Sequence, residues 1–191
     1  MEVDKIKEGI IRSAQELFRK YGYHKTSVNE IAKKAKIAKA TIYKYFDSKE
    51  VLLRTILMDY LRISVNEIIE NTNEETDRQA YVSNLILKTS RLSYAVCNEF
   101  IGWDFIRENT NSQEFLKLLS DDLEQLLISS FLETHMFKHE ENSLEKLNFL
   151  IKASKSIVFS FAFTSVSDAD VRKNFVSFHK EILPYLVKAA I

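Results

Sequence analysis

Residues 22–50 contain two short helix signatures, separated by a tight break and followed by the start of a third helix. Ser27 and Glu30 have the spacing of a capping box, in which each side chain accepts the other residue's backbone N–H, so a helix should begin there. Apolar residues then recur at helical spacing over Val28, Ile31, Ala32 and Ala35. The pattern breaks at residues 36–37 and resumes over residues 38–46. The segment is therefore predicted to fold as consecutive short helices.

The second short helix has a polar outward face. Its expected buried positions are Ile42 and Phe46, and Ile37 should anchor the turn. The side chains left outside are two cations, a hydroxyl and a phenol, on Lys39, Thr41, Tyr43 and Lys44. These groups hydrogen-bond phosphate oxygens and base edges. A second helix with this face, after a first helix and a tight break, is typical of a helix-turn-helix that reads a DNA groove.

The same stretch closely resembles the tetracycline-repressor (TetR/AcrR) family of transcription regulators. The matching residues are Ala14, Leu17, Phe18, Gly22, Tyr23, Thr26, Ser27, Val28, Ile31, Ala32, Ala35, Ile37, Thr41, Ile42, Tyr43, Phe46, Lys49, Glu50 and Leu52. The resemblance covers roughly the first quarter of the chain. Lys36 stands where the family usually has Gly, and Ala38 replaces the usual Ser. A left-handed Lys and a lost N-cap hydrogen bond of roughly 1 kcal/mol should modestly lower local stability.

The resemblance and the polar face together imply a set of DNA-binding residues. The helix over residues 27–35 should brace against phosphates, and the helix over residues 38–45 should enter the major groove. The implied DNA-binding residues are Thr26, Ser27, Lys36, Lys39, Ala40, Thr41, Tyr43, Lys44, Tyr45 and Lys49. Base contacts are expected from Lys39, Thr41 and Lys44, and phosphate contacts from Thr26, Tyr43 and Lys49.

Charge is distributed unevenly along the chain. Residues 1–50 hold twelve Lys and Arg against seven Asp and Glu, a net charge of +5, and the remainder carries −5. Such an imbalance on solvated faces also arises by chance, about as often as not. Together with a helix-turn-helix, it indicates an electrostatic footprint for DNA.

Composition predicts an all-α chain. Three Gly and one Pro in 191 residues leave almost no turn residues for hairpins or barrels. We expect a three-helix DNA-binding head with the helix-turn-helix over residues 1–48, and a helical effector-binding and dimerisation domain over residues 49–191. No apolar run is long enough to span a membrane and no leader opens the chain, which predicts a soluble, cytoplasmic protein.

Helical periodicity extends through the whole chain. Predicted helices cover about 4–21, 47–70 and 77–96, a further stretch up to residue 108, and 115–137. Breaks are expected at residues 71–73 and 109–112. The last two helices begin near Asn142 and after a break at residues 165–168, and Pro184 should kink or locally open the second of them.

The last two helices have wide apolar faces. Periodicity alone favours a role in closing the monomer core. The resemblance instead implies that they pair with their copies as a four-helix bundle, giving a homodimer that spans the two half-sites of a palindromic operator. The implied interface residues are Leu147, Ile151, Ser154, Val158, Phe161, Phe175, Phe178, Ile182 and Leu186.

The middle helices would hold a small-molecule effector if the chain follows the family. An aromatic-rich cavity with a few hydroxyls suits a flat or hydrophobic molecule. The candidate lining residues are Met58, Tyr60, Leu61, Tyr81, Tyr94, Cys97, Phe100, Trp103 and Phe105. For any single one of these residues, ordinary core packing is the more frequent role.

Metal and catalytic chemistry have little support in the sequence. His135 and His139 are four residues apart, a spacing that can hold a metal, but most such pairs are solvated residues at helix ends. Cys97 is the single cysteine, which excludes an intrachain disulfide. We therefore expect no enzyme activity and no cofactor.

The sequence as a whole predicts a ligand-responsive transcriptional repressor. An activator differs only in where its operator lies relative to the promoter, so it remains open. The competing class is a helical ligand-binding protein or enzyme that keeps the head without sequence-specific DNA binding.

Overall fold

A computed structural model describes residues 2–72, 77–108, 113–134, 136–137 and 142–191. Throughout these ranges the regular structure is helical, as predicted. The helices are α1 (Glu2–Tyr21), α2 (Val28–Ala35), α3 (Lys39–Tyr43), α4 (Lys49–Glu70), α5 (Arg78–Phe100), α6 (Trp103–Glu108), α7 (Gln113–Leu132), α8 (Ser143–Thr164), α9 (Asp168–Ser177) and α10 (Leu183–Ala190). Among the described helices, none is long and apolar enough to cross a membrane.

The chain divides into two compact units. The first contains residues 1–60 and 96–119, and the second contains residues 61–95 and 120–191. Long helices α4 and α5 therefore each contribute to both units. This grouping by compactness does not coincide with the expected boundary at residue 48. The division of labour between a DNA-binding and an effector-binding domain stays a prediction.

The first unit has a core built from the faces that periodicity predicted. The fully or nearly fully buried side chains include Ile10, Ala14, Phe18, Ile31, Ala32, Ile42, Phe46, Leu52 and Leu53. They come from α1, α2, α3, the segment between α3 and α4, and the start of α4. Burying these apolar groups is what holds the short helices α2 and α3 in place, because helices of eight and five residues are unstable alone in water.

The second unit has its own apolar core. Its members include Tyr81, Leu85, Phe131, Leu147, Ile151, Phe161, Phe175, Phe178 and Leu183. Rings of Phe161 and Phe175 meet edge to face with centroids 5.2 Å apart, and Tyr94 packs edge to face on Phe175 at 5.6 Å. Helices α5, α7, α8, α9 and α10 all supply residues to this core.

Pro184 opens the backbone of the last helical stretch, as predicted. Residues Phe178–Ile182 between α9 and α10 form a π-helical segment, and the N–H of Leu183 donates to the carbonyl of Phe178. Proline lacks an N–H, and its ring clashes with the carbonyl four residues before it. The wider π-helical turn accommodates both effects without ending the helical stretch.

Other helix limits differ from the sequence expectation. Helix α5 continues to Phe100, four residues past its predicted end, and α6 begins at Trp103 after Gly102 adopts a φ of 87°. Helix α7 ends at Leu132 rather than at residue 137. The loop expected at residues 109–112 lies outside the described residues.

Candidate DNA-binding site

Helix α2 begins with the capping box that the sequence predicts. The Ser27 N–H donates to the Glu30 carboxylate at 2.7 Å, and the Glu30 N–H donates to Ser27 Oγ at 3.2 Å. The backbone and side-chain hydrogen bonds from Ser27 lower the pKa of the exposed Glu30 carboxyl. Two N–H groups that a helix N-terminus leaves without partners are thereby satisfied.

A Schellman motif closes the turn between α2 and α3. The Ile37 N–H donates to the Ala32 carbonyl at 3.0 Å, and the Lys36 N–H donates to the Lys33 carbonyl at 3.3 Å. Lys36 adopts a left-handed conformation, with φ 57° and ψ 40°. The steric cost expected at Lys36 is therefore present, because a residue with a side chain is less stable than glycine in the left-handed conformation by about 1–2 kcal/mol.

Helix α3 carries the predicted outward face. Ala38 is its N-cap and makes no side-chain capping hydrogen bond, as its identity implied. Ile42 and Phe46 are buried. The exposed residues are Lys39, Ala40, Tyr43 and Lys44, and Thr41 and Tyr45 are partly exposed. The ammonium of Lys39 lies 5.9 Å from the centroid of the Tyr43 ring. Six of the predicted DNA-binding residues therefore share one short helix and its C-terminal end, and all six reach solvent.

Thr26 and Lys49 occupy interior positions. Thr26 is 2% exposed, and its hydroxyl donates to the Gly22 carbonyl at 2.9 Å. The Lys49 ammonium donates to the carbonyls of Tyr23, at 3.1 Å, and Thr26, at 3.0 Å. Burial lowers the pKa of this amine. Both side chains hold the frame of the head, and their expected phosphate contacts stay a prediction.

Tyr23 is the residue to which sequence reasoning gave no role. Its hydroxyl donates to Glu50 at 2.5 Å, and its backbone N–H donates to the Phe100 carbonyl at 2.9 Å. The pKa of the Tyr23 phenol is raised, mainly by burial and to a smaller extent by the hydrogen bond to Glu50. In the sequence, two features pointed to Tyr23: its place among the residues that match the TetR/AcrR family, and its position after Gly22, which takes a φ of 84° where α1 ends.

The candidate effector-binding residues are divided between the two units. Those in the first are Met58, Tyr60, Cys97, Phe100, Trp103 and Phe105, and those in the second are Leu61, Tyr81 and Tyr94. Phe100 and Tyr81 are completely buried. Burial raises the pKa of the Cys97 thiol to about 12, which argues against a reactive thiolate at neutral pH. Which of these residues line a cavity stays a prediction.

The residues implied for a dimer interface lie in the second unit's core. Leu147, Ile151, Val158, Phe161, Phe175 and Phe178 are buried within the single chain, and Ile182 and Leu186 pack against them. Ser154 is also buried. This is the placement that periodicity alone favoured. A second copy would have to cover other side chains.

Metal ligands do not cluster in the described part of the chain. No group of three His, Cys, Asp or Glu side chains that could hold a metal ion occurs there. His135 and His139, the pair with helical spacing, lie outside the described residues.

Comparisons with known proteins agree with this geometry. Residues 10–56 match the family model of the bacterial regulatory proteins, tetR family. The uncharacterized HTH-type transcriptional regulator YuxN of Bacillus subtilis is 43% identical over 77 residues, which cover 40% of this chain and 26% of that protein. The match thus spans about a quarter of the length of this relative.

Solved structures match the fold over nearly the whole chain. A TetR transcriptional regulator from Rhodococcus sp. RHA1 is similar over 100% of this chain and 99% of its own, with a TM-score of 0.60 and 18% identity. The regulator FadR from Bacillus subtilis, solved in complex with stearoyl-CoA, is similar over 94% of this chain and 97% of its own, with a TM-score of 0.54 and 19% identity. Residues 10–56, which contain the helix-turn-helix, therefore match the tetR family of bacterial regulatory proteins, and the chain as a whole shares the fold of these solved regulators.

Proposed function

We propose that this protein is a ligand-responsive, DNA-binding transcriptional regulator. In the form we favour it is a cytoplasmic repressor, which leaves its operator when a small hydrophobic or aromatic effector binds. The observation that carries the proposal is the outward face of α3, where Lys39, Tyr43 and Lys44 are all exposed beside a turn fixed by backbone hydrogen bonds. Cations and phenols on a fixed short helix suit phosphate and base-edge contacts in a major groove.

The roles within the head follow from exposure. Lys39 and Thr41, near the N-terminus of α3, would contact base edges, because the N-terminal residues of a recognition helix reach deepest into the groove. Tyr43 and Lys44 would contact phosphates or neighbouring bases. Helix α2, with Lys33 and Lys36 exposed near its C-terminal end, would brace the head on the DNA backbone.

The proposed regulator acts as a homodimer on a palindromic operator. Its interface would use the outward face of α8, where Phe149, Phe159 and Phe163 are exposed by 46, 41 and 55%. Their spacing of ten and four residues places them along one face of α8, opposite the buried face. Exposed aromatic residues in a row are uncommon on a monomer and are enriched in subunit interfaces.

An acyl-CoA thioester is the first effector class to test. The support is the stearoyl-CoA in the structure of the Bacillus subtilis FadR, which has the same fold, together with the buried aromatic candidates of this chain. To move the protein from mostly DNA-competent to mostly incompetent, the effector must favour the second state by a few kcal/mol.

The test of the proposal is selection of binding sites from a library of random duplexes, followed by fluorescence anisotropy on the selected site and on its scrambled sequence at two salt concentrations. We expect a two-fold symmetric site, tight and salt-sensitive binding, and release on addition of stearoyl-CoA. Failure to enrich any sequence would refute the DNA-binding proposal. Binding that stearoyl-CoA leaves unchanged would refute the acyl-CoA effector alone.

A matched pair of variants tests the role of α3. Lys39→Ala should weaken binding to the selected site by roughly 5- to 150-fold and reduce the preference over the scrambled sequence, as expected for loss of a base contact. Lys7→Ala, which removes an equal charge from an exposed position on α1, is the control and should retain the preference. Equal losses on selected and scrambled DNA for Lys39→Ala would contradict the base contact.

A further inference from the structure

The 22–26 loop joins α1 to α2 and is held by two different parts of the first unit. Helix α4 holds it through Lys49, whose ammonium donates to two carbonyls of the loop and lies 4.1 Å from the centroid of the Tyr23 ring. Glu50 accepts the Tyr23 hydroxyl on the same side. The loop is therefore tied to the first turn of α4 by hydrogen bonds at both of its ends.

The second tie comes from residues far along the chain. The Tyr23 N–H donates to the carbonyl of Phe100, which lies in the last turn of α5. The last carbonyls of a helix have no partner within the helix, so this acceptor is available to another segment. A carbonyl at the end of α5 thereby accepts a hydrogen bond from the loop that precedes the helix-turn-helix.

Aromatic packing reinforces this tie. The Tyr23 ring stacks on Phe115 at 6.3 Å with an interplanar angle of 13°, and meets Phe105 edge to face at 6.4 Å. The neighbouring His24 ring stacks on Phe105 at 4.8 Å. Aromatic pairs in these geometries are stabilised by more than the burial of their surface alone. Residues of α6 and α7 thus pack directly on the loop.

Arg19, in the last turn of α1, makes a third connection to α5. Its guanidinium pairs with Glu99 at 2.7 Å and lies 5.5 Å from the ring centroids of both Tyr60 and Phe100. The ion pair alone is half exposed and contributes little. Its place over two rings adds a cation–π interaction and fixes the end of α1 against α5.

The position of the loop controls the helix-turn-helix, because Thr26 directly precedes Ser27, the N-cap of α2. The turn that links α2 to α3 is held to α2 by two backbone hydrogen bonds, from Lys36 and Ile37, so the two helices should move together when the start of α2 moves. Phe100 and Phe105 both contact Tyr23 directly, and Phe105 also contacts His24, so a change at either phenylalanine reaches the loop before α2 without any further residue between them.

We propose that the 22–26 loop is a relay in which Tyr23 is the positioning residue, transmitting the positions of Phe100, Phe105 and Phe115 to the helix-turn-helix. The relay deepens the proposed function, on which it rests. It gives the end of α5 and helix α6 direct control over the recognition helix, in addition to any motion of α4. A shift at the end of α5 would withdraw the Phe100 carbonyl, release Tyr23 and change the pose of α2 and α3.

A double-mutant cycle between Phe105 and Tyr23 tests the relay in the full-length protein. Phe105→Leu, far from the DNA-facing side chains in sequence, should weaken binding to the selected duplex by roughly 3- to 30-fold, the range of network substitutions. Tyr23→Leu should weaken it at least as much. The loss in the double variant should be smaller than the two single losses combined, because Phe105 acts on the loop through its contact with Tyr23. Leu118→Ala, an exposed change in the same unit, is the control and should bind like wild type.

Hydrogen exchange separates positioning from general loss of stability. In Phe105→Leu, the amides of residues 23–37 should exchange faster while those of the α8 core stay protected. Additive losses of DNA affinity, or wild-type affinity in Phe105→Leu, would overturn the relay. If the wild-type protein prefers no DNA sequence, the proposed function fails, and unchanged exchange over residues 23–37 in Phe105→Leu would then overturn the relay on its own.

Discussion

The ammonium of Lys49 lies 3.0 Å from the carbonyl oxygen of Thr26, and this hydrogen bond ties the first residue of α4 to the residue before the α2 cap. The sequence instead suggested a phosphate contact for this lysine. The two roles predict different results for the same substitution. An internal lysine contributes to stability, and a phosphate contact contributes to the salt dependence of DNA binding.

Lys49→Met keeps the aliphatic stem and removes the donors. We expect it to lower the free energy of unfolding by about 1.5–3 kcal/mol, the range for hydrogen bonds to a charged group, because two loop carbonyls lose their partner. The slope of log K against log salt should stay at its wild-type value. Thermal denaturation and anisotropy titrations over several salt concentrations provide the two measurements.

Lys44→Met is the matched control on the outward face of α3. It should leave the melting temperature unchanged and reduce the salt slope by about one, as for loss of one phosphate contact. If Lys49→Met gave the control's behaviour, the lysine would be a phosphate ligand after all.

Lys36→Gly should stabilise the protein. The position requires a φ of 57°, which glycine adopts without the steric cost that a lysine has there. We expect a gain of about 1 kcal/mol in unfolding free energy, measured by chemical denaturation. Lys33→Gly, a few residues earlier inside α2, should instead destabilise by a similar amount. A loss of stability in Lys36→Gly would mean that its side chain makes a compensating contact.

Local sequence predicted this turn from the capping box at Ser27 and the break in apolar spacing at residues 36–37. The left-handed Lys36 and the missing cap at Ala38 were implied by the family resemblance, and the structure has both. The contacts of Tyr23 with Phe100, Phe105 and Phe115 join residues more than 75 positions apart, and no periodicity encodes them. Helical spacing located the apolar face of α8 and favoured its burial within the monomer, which is where the face lies, whereas the family resemblance implied a dimer interface for the same residues.

Glu50→Gln should reduce the loss of stability in acid. The hydrogen bond from the Tyr23 hydroxyl is the main cause that lowers the pKa of Glu50 below its ordinary value of 4.5. A carboxyl group with a lowered folded-state pKa contributes stability that is present above the ordinary value and is lost as the pH falls through the folded-state pKa. The wild type should therefore lose this contribution below about pH 4.5, and the Gln variant has none to lose.

Denaturant unfolding at a series of pH values from neutral to acid measures this effect. Tyr23→Phe removes the donor and keeps the ring. Its free energy of unfolding should therefore fall less steeply than that of the wild type as the pH is lowered into the acid range, as in Glu50→Gln. Glu8→Gln, at an exposed position on α1, should keep the wild-type profile. If both Tyr23→Phe and Glu50→Gln lost stability in acid as steeply as the wild type does, another carboxylate would be responsible for that loss.

If the protein is the proposed homodimer, Phe163→Lys should separate it into monomers. The side chain is 55% exposed on the outward face of α8 and contacts Phe159 at a centroid distance of 5.6 Å. In a two-fold symmetric interface the substitution occurs once on each subunit. The dimer would therefore bury two lysines in the interface, at a large desolvation cost. Light scattering after size-exclusion chromatography should give the monomer mass for the variant and twice that mass for wild type.

Ile63→Lys is the control, since Ile63 is an equally prominent apolar residue of α4, 61% exposed. It should remain dimeric and bind the selected duplex as wild type does. Phe163→Lys should lose most of its affinity for a site with two half-sites, because a monomer presents a single recognition helix. Its affinity for a single half-site should be that of one wild-type head. A Phe163→Lys protein that stayed dimeric would exclude the outward face of α8 as the subunit interface.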